Sequence, residues 1–118
     1  MFKIIKKCIG KELNELEIEW YDDKSLCIVL CSKGYPESYK NNFKINLENI
    51  NLDKNQFLFH AGTKLSGNSI VSNGGRVLNI VTRSQEFRYS REMSLNILNK
   101  LNWENGFFRK DIGYKVID

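Results

Sequence analysis

The chain has 118 residues, of which 42% are hydrophobic and 27% are charged, and its formal net charge is +4. This composition is typical of one soluble globular domain, and it argues against a disordered chain or a membrane-spanning one. The basic residues are scattered, so the modest positive charge does not by itself distinguish a small phosphate ligand from a polyanion or from a simply solvated surface.

Three cysteines, at positions 8, 27 and 31, indicate a reducing compartment, because an odd number leaves at least one thiol free. In an extended strand, Cys27 and Cys31 would be about 13 Å apart, too far for a disulfide. No CxxC pair indicates a zinc site. We therefore predict a cytoplasmic protein whose cysteines are buried as small apolar side chains.

The first third of the chain predicts one helix and two strands. Residues 1–12 have the apolar spacing of a short helix that ends at Gly10, and the apolar face of this helix must pack on its own domain or on a larger structure. Residues 16–20 alternate apolar side chains with glutamates, which predicts a strand with one wet face. Residues 26–31, LCIVLC, predict a strand buried on both faces.

The loop that follows carries two tyrosines, Tyr35 and Tyr39, around Pro36. Tyrosines in such a loop can line a ligand site or can cover a small core, and the sequence leaves both interpretations open. Residues 41–55 are rich in asparagine and predict a connection with little regular structure.

The stretch over residues 57–82 carries the richest pattern in the chain. It predicts a strand at 57–59, a hairpin turn at SGNS, a strand at 69–72, a glycine-tight turn at NGG and a strand at 76–82. The apolar period then becomes helical as far as Asn102, and the last residues predict a short return to the sheet edge. We predict an α+β domain with a small, largely antiparallel sheet and one main covering helix.

Polar groups gather at the turns of this stretch. Gly74 and Gly75 would let a ligand approach the main chain closely, and Arg76 offers a planar fork of donors suited to phosphate or carboxylate. Such a turn can bind an anion, although the same three residues also compose an ordinary hairpin turn.

The single histidine, His60, ends a predicted strand, with Thr63 and Lys64 close behind it. From this spacing, His60 either contacts a ligand or only satisfies backbone groups. The sequence has no paired-carboxylate motif, no nucleophile signature and no phosphate loop of the GxxxxGK type. A complete active site is therefore not visible.

Four blocks, CSKGYPESY, FHAGTKL, IVSNGGRVLNIVT and GFFRKDIGY, resemble in their order and separation the C-terminal domain of phosphoribosylamine-glycine ligase, a member of the ATP-grasp superfamily. That family joins 5-phosphoribosylamine to glycine while ATP becomes ADP and phosphate, a step of purine biosynthesis. The resemblance implies a rudimentary single-hybrid-like domain that packs against the other domains and closes one side of the substrate site.

The family's HAGT and NGGR segments fall on residues 60–63 and 73–76 of this sequence. The substrate-binding residues that the resemblance implies are His60, Gly62, Thr63, Lys64, Asn73, Gly74, Gly75 and Arg76. Arg76, with the amides of Gly74 and Gly75, is expected to bind the ribose phosphate, while His60, Thr63 and Lys64 shape the neighbouring wall. No catalytic or metal-binding residue is expected.

The resemblance also implies what the chain does not carry out alone. In the family, ATP and its magnesium or manganese ions bind the central grasp domains, so we predict a single domain over residues 1–118 that binds no cofactor and is inactive by itself. Its expected partners are the small-molecule substrate and the ATP-grasp domains, whether or not these lie on a separate chain, but neither nucleic acid nor a membrane. The alternative is a non-catalytic phosphate-binding module or a complementing subunit.

Two features of the match leave questions open. Arg109 and Asp111 fall in the last block, where they form either a structural ion pair or part of the site. The predicted helix also departs from the family pattern, since Ser90 and Ser94 occupy positions where small apolar residues are expected.

Overall fold

The chain folds as an antiparallel sheet with a helix on one face, in a computed structural model that describes residues 1–117. The helices and strands are α1 (Phe2–Ile9), β1 (Lys24–Ser32), β2 (Gln56–His60), β3 (Thr63–Ser66), β4 (Ser69–Ser72), β5 (Arg76–Ser84), α2 (Phe87–Leu101) and β6 (Gly106–Phe107). The main sheet has the strand order β2-β5-β1-β6, and β3 pairs with β4 in a separate hairpin. The predicted α+β class with one main covering helix is confirmed.

Only one face of the main sheet is covered. Leu26, Ile28 and Leu30 of β1 are buried under α2, whereas Cys27 is exposed and Val29 is half-buried. The prediction that this strand is buried on both faces is therefore wrong. A continuous apolar run does not distinguish a covered face from an open one, because every residue in it has the same apolar character.

The cysteines are also less buried than predicted. Cys8 and Cys27 are exposed and Cys31 is half-buried, because the two strand cysteines lie on the open face of the sheet. Within residues 1–117, no three histidine, cysteine or acidic side chains lie together as a metal site would require.

A hydroxyl network joins the covering helix to the sheet. The Thr82 hydroxyl of β5 donates to the Ser90 carbonyl at 2.6 Å and lies 2.9 Å from the Ser94 hydroxyl. The Ser90 hydroxyl donates to the Lys24 carbonyl at 3.2 Å. Ser90 and Ser94 are fully buried, so their small size lets α2 approach the sheet while each hydroxyl keeps a partner. This explains how serines are accommodated at positions expected to be small and apolar.

Residues 10–23 differ from the prediction, because the strand expected at 16–20 is absent. A short 3₁₀ turn spans Leu13–Glu15, and from residue 16 to residue 23 the chain has no regular secondary structure and pairs with no strand of the described residues. The apolar side chains Ile18 and Trp20 are exposed. The alternation of apolar side chains with glutamates therefore does not produce a strand here. It leaves Ile18 and Trp20 on a surface that residues 1–117 do not cover.

The other predicted connections are confirmed. The segment 41–55 contains only one isolated bridge, between Lys44 and Val71, and β6 returns to the edge of β1. Helix α2 ends at Leu101 and is followed by Asn102 in the left-handed conformation, a common helix termination. No helix in residues 1–117 has both the length and the apolar character needed to cross a membrane.

Candidate functional site

Arg76 reaches the open face of the main sheet because of a β-bulge. Leu30 of β1 pairs with Leu78 of β5. The next residue of β1, Cys31, pairs with Arg76, so Val77 is an extra residue in β5. One extra residue reverses the alternation of side chains, and Arg76 therefore lies on the face of Cys31 instead of under α2.

A cavity of about 570 Å³ lies on the open face beside Arg76. Its lining includes Val29, Tyr35, Tyr39, Ala61, Gly62, Gly75 and Asn79. The rings of Tyr35 and Tyr39 have centroids 6.0 Å apart and form one wall. Of the two interpretations of the loop tyrosines, the structure favours the one that places them at a cavity together with the glycine turn.

Two turns beside this cavity, residues 60–63 and residues 73–76, pack against each other through the backbones of their glycines. The Gly62 N–H donates to the Arg76 carbonyl at 2.8 Å, and the Asn73 N–H donates to the Gly62 carbonyl at 2.8 Å. A Cβ on Gly62 would lie 2.8 Å from the Gly74 Cα, closer than side chains tolerate. Neither glycine has a positive φ, so close backbone approach, and not an unusual conformation, requires glycine here.

The carbonyls of Gly74 and Gly75 both accept hydrogen bonds from Ser32. The Ser32 hydroxyl donates to the Gly74 carbonyl at 2.8 Å, and the Ser32 N–H donates to the Gly75 carbonyl at 2.7 Å. Within residues 1–117, neither glycine N–H donates to another backbone group. Gly75 also lies against the Tyr35 ring, because a Cβ there would be 2.0 Å from the ring carbon Cδ2.

The Arg76 guanidinium carries an uncompensated positive charge. No carboxylate among the described residues forms a salt bridge with it. Partial burial raises the pKa of the neighbouring Cys31 thiol, although Arg76 acts in the opposite direction. The thiol is therefore neutral at pH 7, and the arginine remains available to an anion.

This geometry agrees with a comparison of the sequence. Residues 25–115 match the family described as Phosphoribosylglycinamide synthetase, C domain. The chain belongs to this family. The resemblance drawn from its four sequence blocks is thereby confirmed.

Several relatives and one crystal structure extend this result. The chain is 38% identical over 111 residues to a phosphoribosylamine-glycine ligase of Caldanaerobacter subterraneus, covering 93% of the chain and 26% of that protein. It is 38% identical over 121 residues to the bifunctional purine biosynthetic protein purD of Dictyostelium discoideum, covering 100% of the chain and 15% of that protein. A crystal structure of phosphoribosylamine-glycine ligase from Thermotoga maritima superposes with a TM-score of 0.72 at 22% identity, over 92% of the chain and 27% of that structure. The chain thus spans about a quarter or less of each.

The predicted site residues fall into two groups, those that line the cavity and those that lie outside its lining. Gly62, Gly75 and Arg76 line the cavity. The others lie outside its lining: Gly74 is in the turn, Asn73 is exposed before it, and Lys64 is exposed on β3. His60 Nδ1 lies 3.0 Å from the Thr63 hydroxyl, so these two residues form a pair between β2 and β3.

Three residues that line the cavity, Val29, Ala61 and Asn79, are not among the site residues predicted from the sequence. Asn79 had a signal, since it is the only polar side chain in the run VLNIV of β5. A lone amide on an otherwise apolar strand often marks a polar contact on an uncovered face. Val29 had none, because its apolar neighbours in β1 look the same whichever face they occupy.

Arg109 and Asp111 form an ion pair, the first of the two interpretations given above. Arg109 Nη2 lies 2.6 Å from Asp111 Oδ2, and Arg109 Nε donates to Asp111 Oδ1 at 3.0 Å. These bonds hold the pKa of Asp111 below its ordinary value and raise that of Arg109. Arg109 lines a separate apolar cavity of about 430 Å³. The Asp111 carboxylate balances the charge of Arg109, whereas Arg76 has no such partner in the part of the chain that the structure describes.

Proposed function

We propose that this C domain forms one wall of the phosphoribosylamine site of a phosphoribosylamine-glycine ligase. Arg76 and the amides of Gly74 and Gly75 bind the ribose phosphate. The observation that carries this proposal is the β-bulge, which sets the Arg76 guanidinium beside the glycine turn. Within residues 1–117, this guanidinium has no carboxylate partner and the amides of the turn have no backbone acceptor. A phosphate offers several acceptor oxygens to such a fork and to backbone N–H groups.

The cavity beside Arg76 suits the rest of a sugar phosphate. Its volume of about 570 Å³ lies within the usual range of ligand pockets. The Asn79 amide can donate to and accept from ribose hydroxyls, and the rings of Tyr35 and Tyr39 supply an apolar wall. His60, Thr63 and Lys64 lie on β2 and β3 outside the lining of the cavity, and in this proposal they shape the neighbouring wall.

The domain contributes binding and orientation to the reaction, and the remaining parts of the ligase carry out the chemistry. In the ligase reaction, the amine of phosphoribosylamine attacks an activated glycine while ATP becomes ADP and phosphate. The candidate cavity is lined by Arg76 and by no carboxylate, so its residues do not fit the magnesium or manganese of that reaction. We therefore assign ATP and its metal ions to the ATP-grasp domains, on the same polypeptide or on another.

Arg76→Ala is expected to weaken binding of glycinamide ribonucleotide, the product of the ligase, by about 10- to 100-fold. A hydrogen bond to a charged group contributes about 1.5–3 kcal/mol, which corresponds to this range. The measurement is a titration of the 118-residue chain followed by NMR, and we expect wild-type shifts to concentrate on amides of residues 60–64 and 73–76.

Arg88→Ala is the matched control for this titration, because Arg88 is exposed on α2 and lies away from the cavity. It should bind the ligand as the wild type does. Equal affinities for the wild type and Arg76→Ala would contradict the proposed phosphate site. No binding of the wild type at millimolar ligand would instead indicate a structural role.

The chain alone is expected to release no ADP when it is incubated with ATP, glycine and phosphoribosylamine. The physical reason is that its described residues offer an anion site but no metal-binding cluster. The full-length Caldanaerobacter ligase, assayed in parallel for ADP by a coupled enzyme reaction, shows that the substrates are competent. ADP release by the purified chain would disprove the proposed division of labour.

A further inference from the structure

Ser32, the last residue of β1, lies beside the candidate site but on the opposite face of the sheet from its cavity. Side chains alternate along a strand, so Ser32 shares the covered face with Leu30, whereas Val29 lines the cavity on the open face. Ser32 is only 1% exposed. A ligand in the cavity therefore does not contact Ser32, and any effect of this residue on binding must act through a neighbour.

Three hydrogen bonds connect Ser32 to two walls of the cavity. Its hydroxyl donates to the Gly74 carbonyl at 2.8 Å, and its N–H donates to the Gly75 carbonyl at 2.7 Å. Its carbonyl accepts a hydrogen bond from the Tyr35 N–H at 3.1 Å, in the turn that carries the tyrosine ring. Two of these bonds use backbone atoms that any residue except proline has, so only the hydroxyl bond to Gly74 depends on the serine side chain.

The Ser32 hydroxyl determines the direction of the Gly75 N–H. The Gly74 carbonyl and the Gly75 N–H belong to one planar trans peptide group, in which they point in opposite directions. Because Ser32 holds this carbonyl from the covered side of the sheet, the N–H is directed towards the open side, where Gly75 lines the cavity. Within residues 1–117, this N–H donates to no backbone group, so it is free to bind an anion there.

The peptide group between Gly74 and Gly75 needs such a restraint because a glycine stands on each side of it. Glycine limits backbone rotation little, so a peptide group between two glycines can turn over and point its N–H away from a ligand. Turning over would also leave the buried Ser32 hydroxyl without the Gly74 carbonyl as its acceptor, which costs free energy. The hydroxyl therefore favours the orientation in which the N–H faces the cavity.

We infer that Ser32 is a positioning residue of the ligase site, whose hydroxyl holds the Gly75 N–H in the direction of the ligand phosphate. The inference rests on the proposed function, in which the same phosphate binds Arg76. A hydrogen-bond donor that is already oriented needs no reorganisation when the anion arrives, and it therefore binds the anion more tightly than a mobile donor does. Ser32 raises the affinity for the sugar phosphate in this way without contacting it.

Ser32→Ala is expected to weaken the binding of glycinamide ribonucleotide to the 118-residue chain by about tenfold, the effect of losing one hydrogen bond to a charged group. In an NMR titration of the wild type, the Gly75 amide proton should shift downfield at saturation, because it donates to the phosphate. Ser32→Ala should lose this shift, while the amides of residues 60–64 still respond to the ligand. Ser32→Thr, which keeps the hydroxyl, should restore both the affinity and the shift.

Ser94→Ala is the matched control, because Ser94 is a fully buried serine of α2 whose hydroxyl lies 2.9 Å from the Thr82 hydroxyl and away from the cavity. Urea denaturation measures the change in stability that each substitution causes. Ser94→Ala should keep the wild-type affinity and the Gly75 shift. Should Ser32→Ala fail to fold, Ser32→Cys takes its place with the same expected losses, since a thiol is similar in size but a weak donor.

Wild-type affinity in Ser32→Ala, or a Gly75 shift that persists in it, would overturn the positioning role. An equal loss of affinity in Ser32→Ala and Ser94→Ala would also overturn it, because the loss would then follow from stability alone. The two proposals fail separately. If only Arg76→Ala weakened binding, the phosphate site would stand without a role for Ser32, whereas equal affinities of the wild type and Arg76→Ala would contradict the phosphate site itself.

Discussion

Gly62→Ala is expected to reduce the free energy of unfolding by about 1–3 kcal/mol, the usual cost of overpacking, and to abolish ligand binding. The added Cβ would lie 2.6 Å from the Arg76 carbonyl oxygen and 2.8 Å from the Gly74 Cα. Both are main-chain atoms, so no side-chain rotation relieves the contact. The turn must move away from β5, which would displace the Arg76 guanidinium. Urea denaturation and the titration with glycinamide ribonucleotide measure the two effects.

Gly10→Ala provides the control for this substitution. Gly10 follows α1 with a φ of −73°, and a Cβ there would meet the Glu12 side chain at 3.4 Å, an ordinary contact. Its expected effect on stability is within about 0.5 kcal/mol, as for most surface substitutions. If Gly62→Ala were as stable as Gly10→Ala, the backbones of the HAGT and NGGR segments would not be packed together as the structure has them.

The sequence predicted the components of the candidate site but not their arrangement. Glycines and an arginine at a turn carry a local signal, because their chemistry is independent of the fold. The bulge at Val77 carries no such signal. Simple alternation from Leu78 would place Arg76 under α2, and the reversed register is held by hydrogen bonds between distant segments, from Ser32 to the glycine turn and from Gly62 to Arg76.

Predictions of the fold were also correct where the signal was local and wrong where the outcome depended on distant contacts. Helix α2 and the turn before β4 have local signals, namely helical spacing and the SGNS sequence, and both were predicted correctly, whereas the strand β3 before that turn was not predicted. Burial of β1 on both faces and a strand at residues 16–20 were predicted wrongly, because each depends on what covers a surface. In the proposed function, the open face of β1 lies towards the rest of the ligase.

Ile80→Ala is expected to reduce the free energy of unfolding by about 2–5 kcal/mol. Ile80 is fully buried in the middle of β5, where it pairs with Ile28 on one side and Leu58 on the other. Its truncation leaves a cavity that α2 and the strands cannot fill without losing other contacts. Small domains are stable by only about 5–15 kcal/mol, so the shift of the urea midpoint, followed by circular dichroism, should be large.

Val81→Ala tests the open face with the neighbouring residue of the same strand. Val81 is half-buried and pairs with Cys27 and Phe57, so its truncation should cost only about 1 kcal/mol in the free chain. Equal losses for the two variants would contradict a sheet covered on one face. In the complete ligase, covering of the open face would bury Val81 further. The losses in free energy of unfolding caused by Ile80→Ala and Val81→Ala should then become more similar.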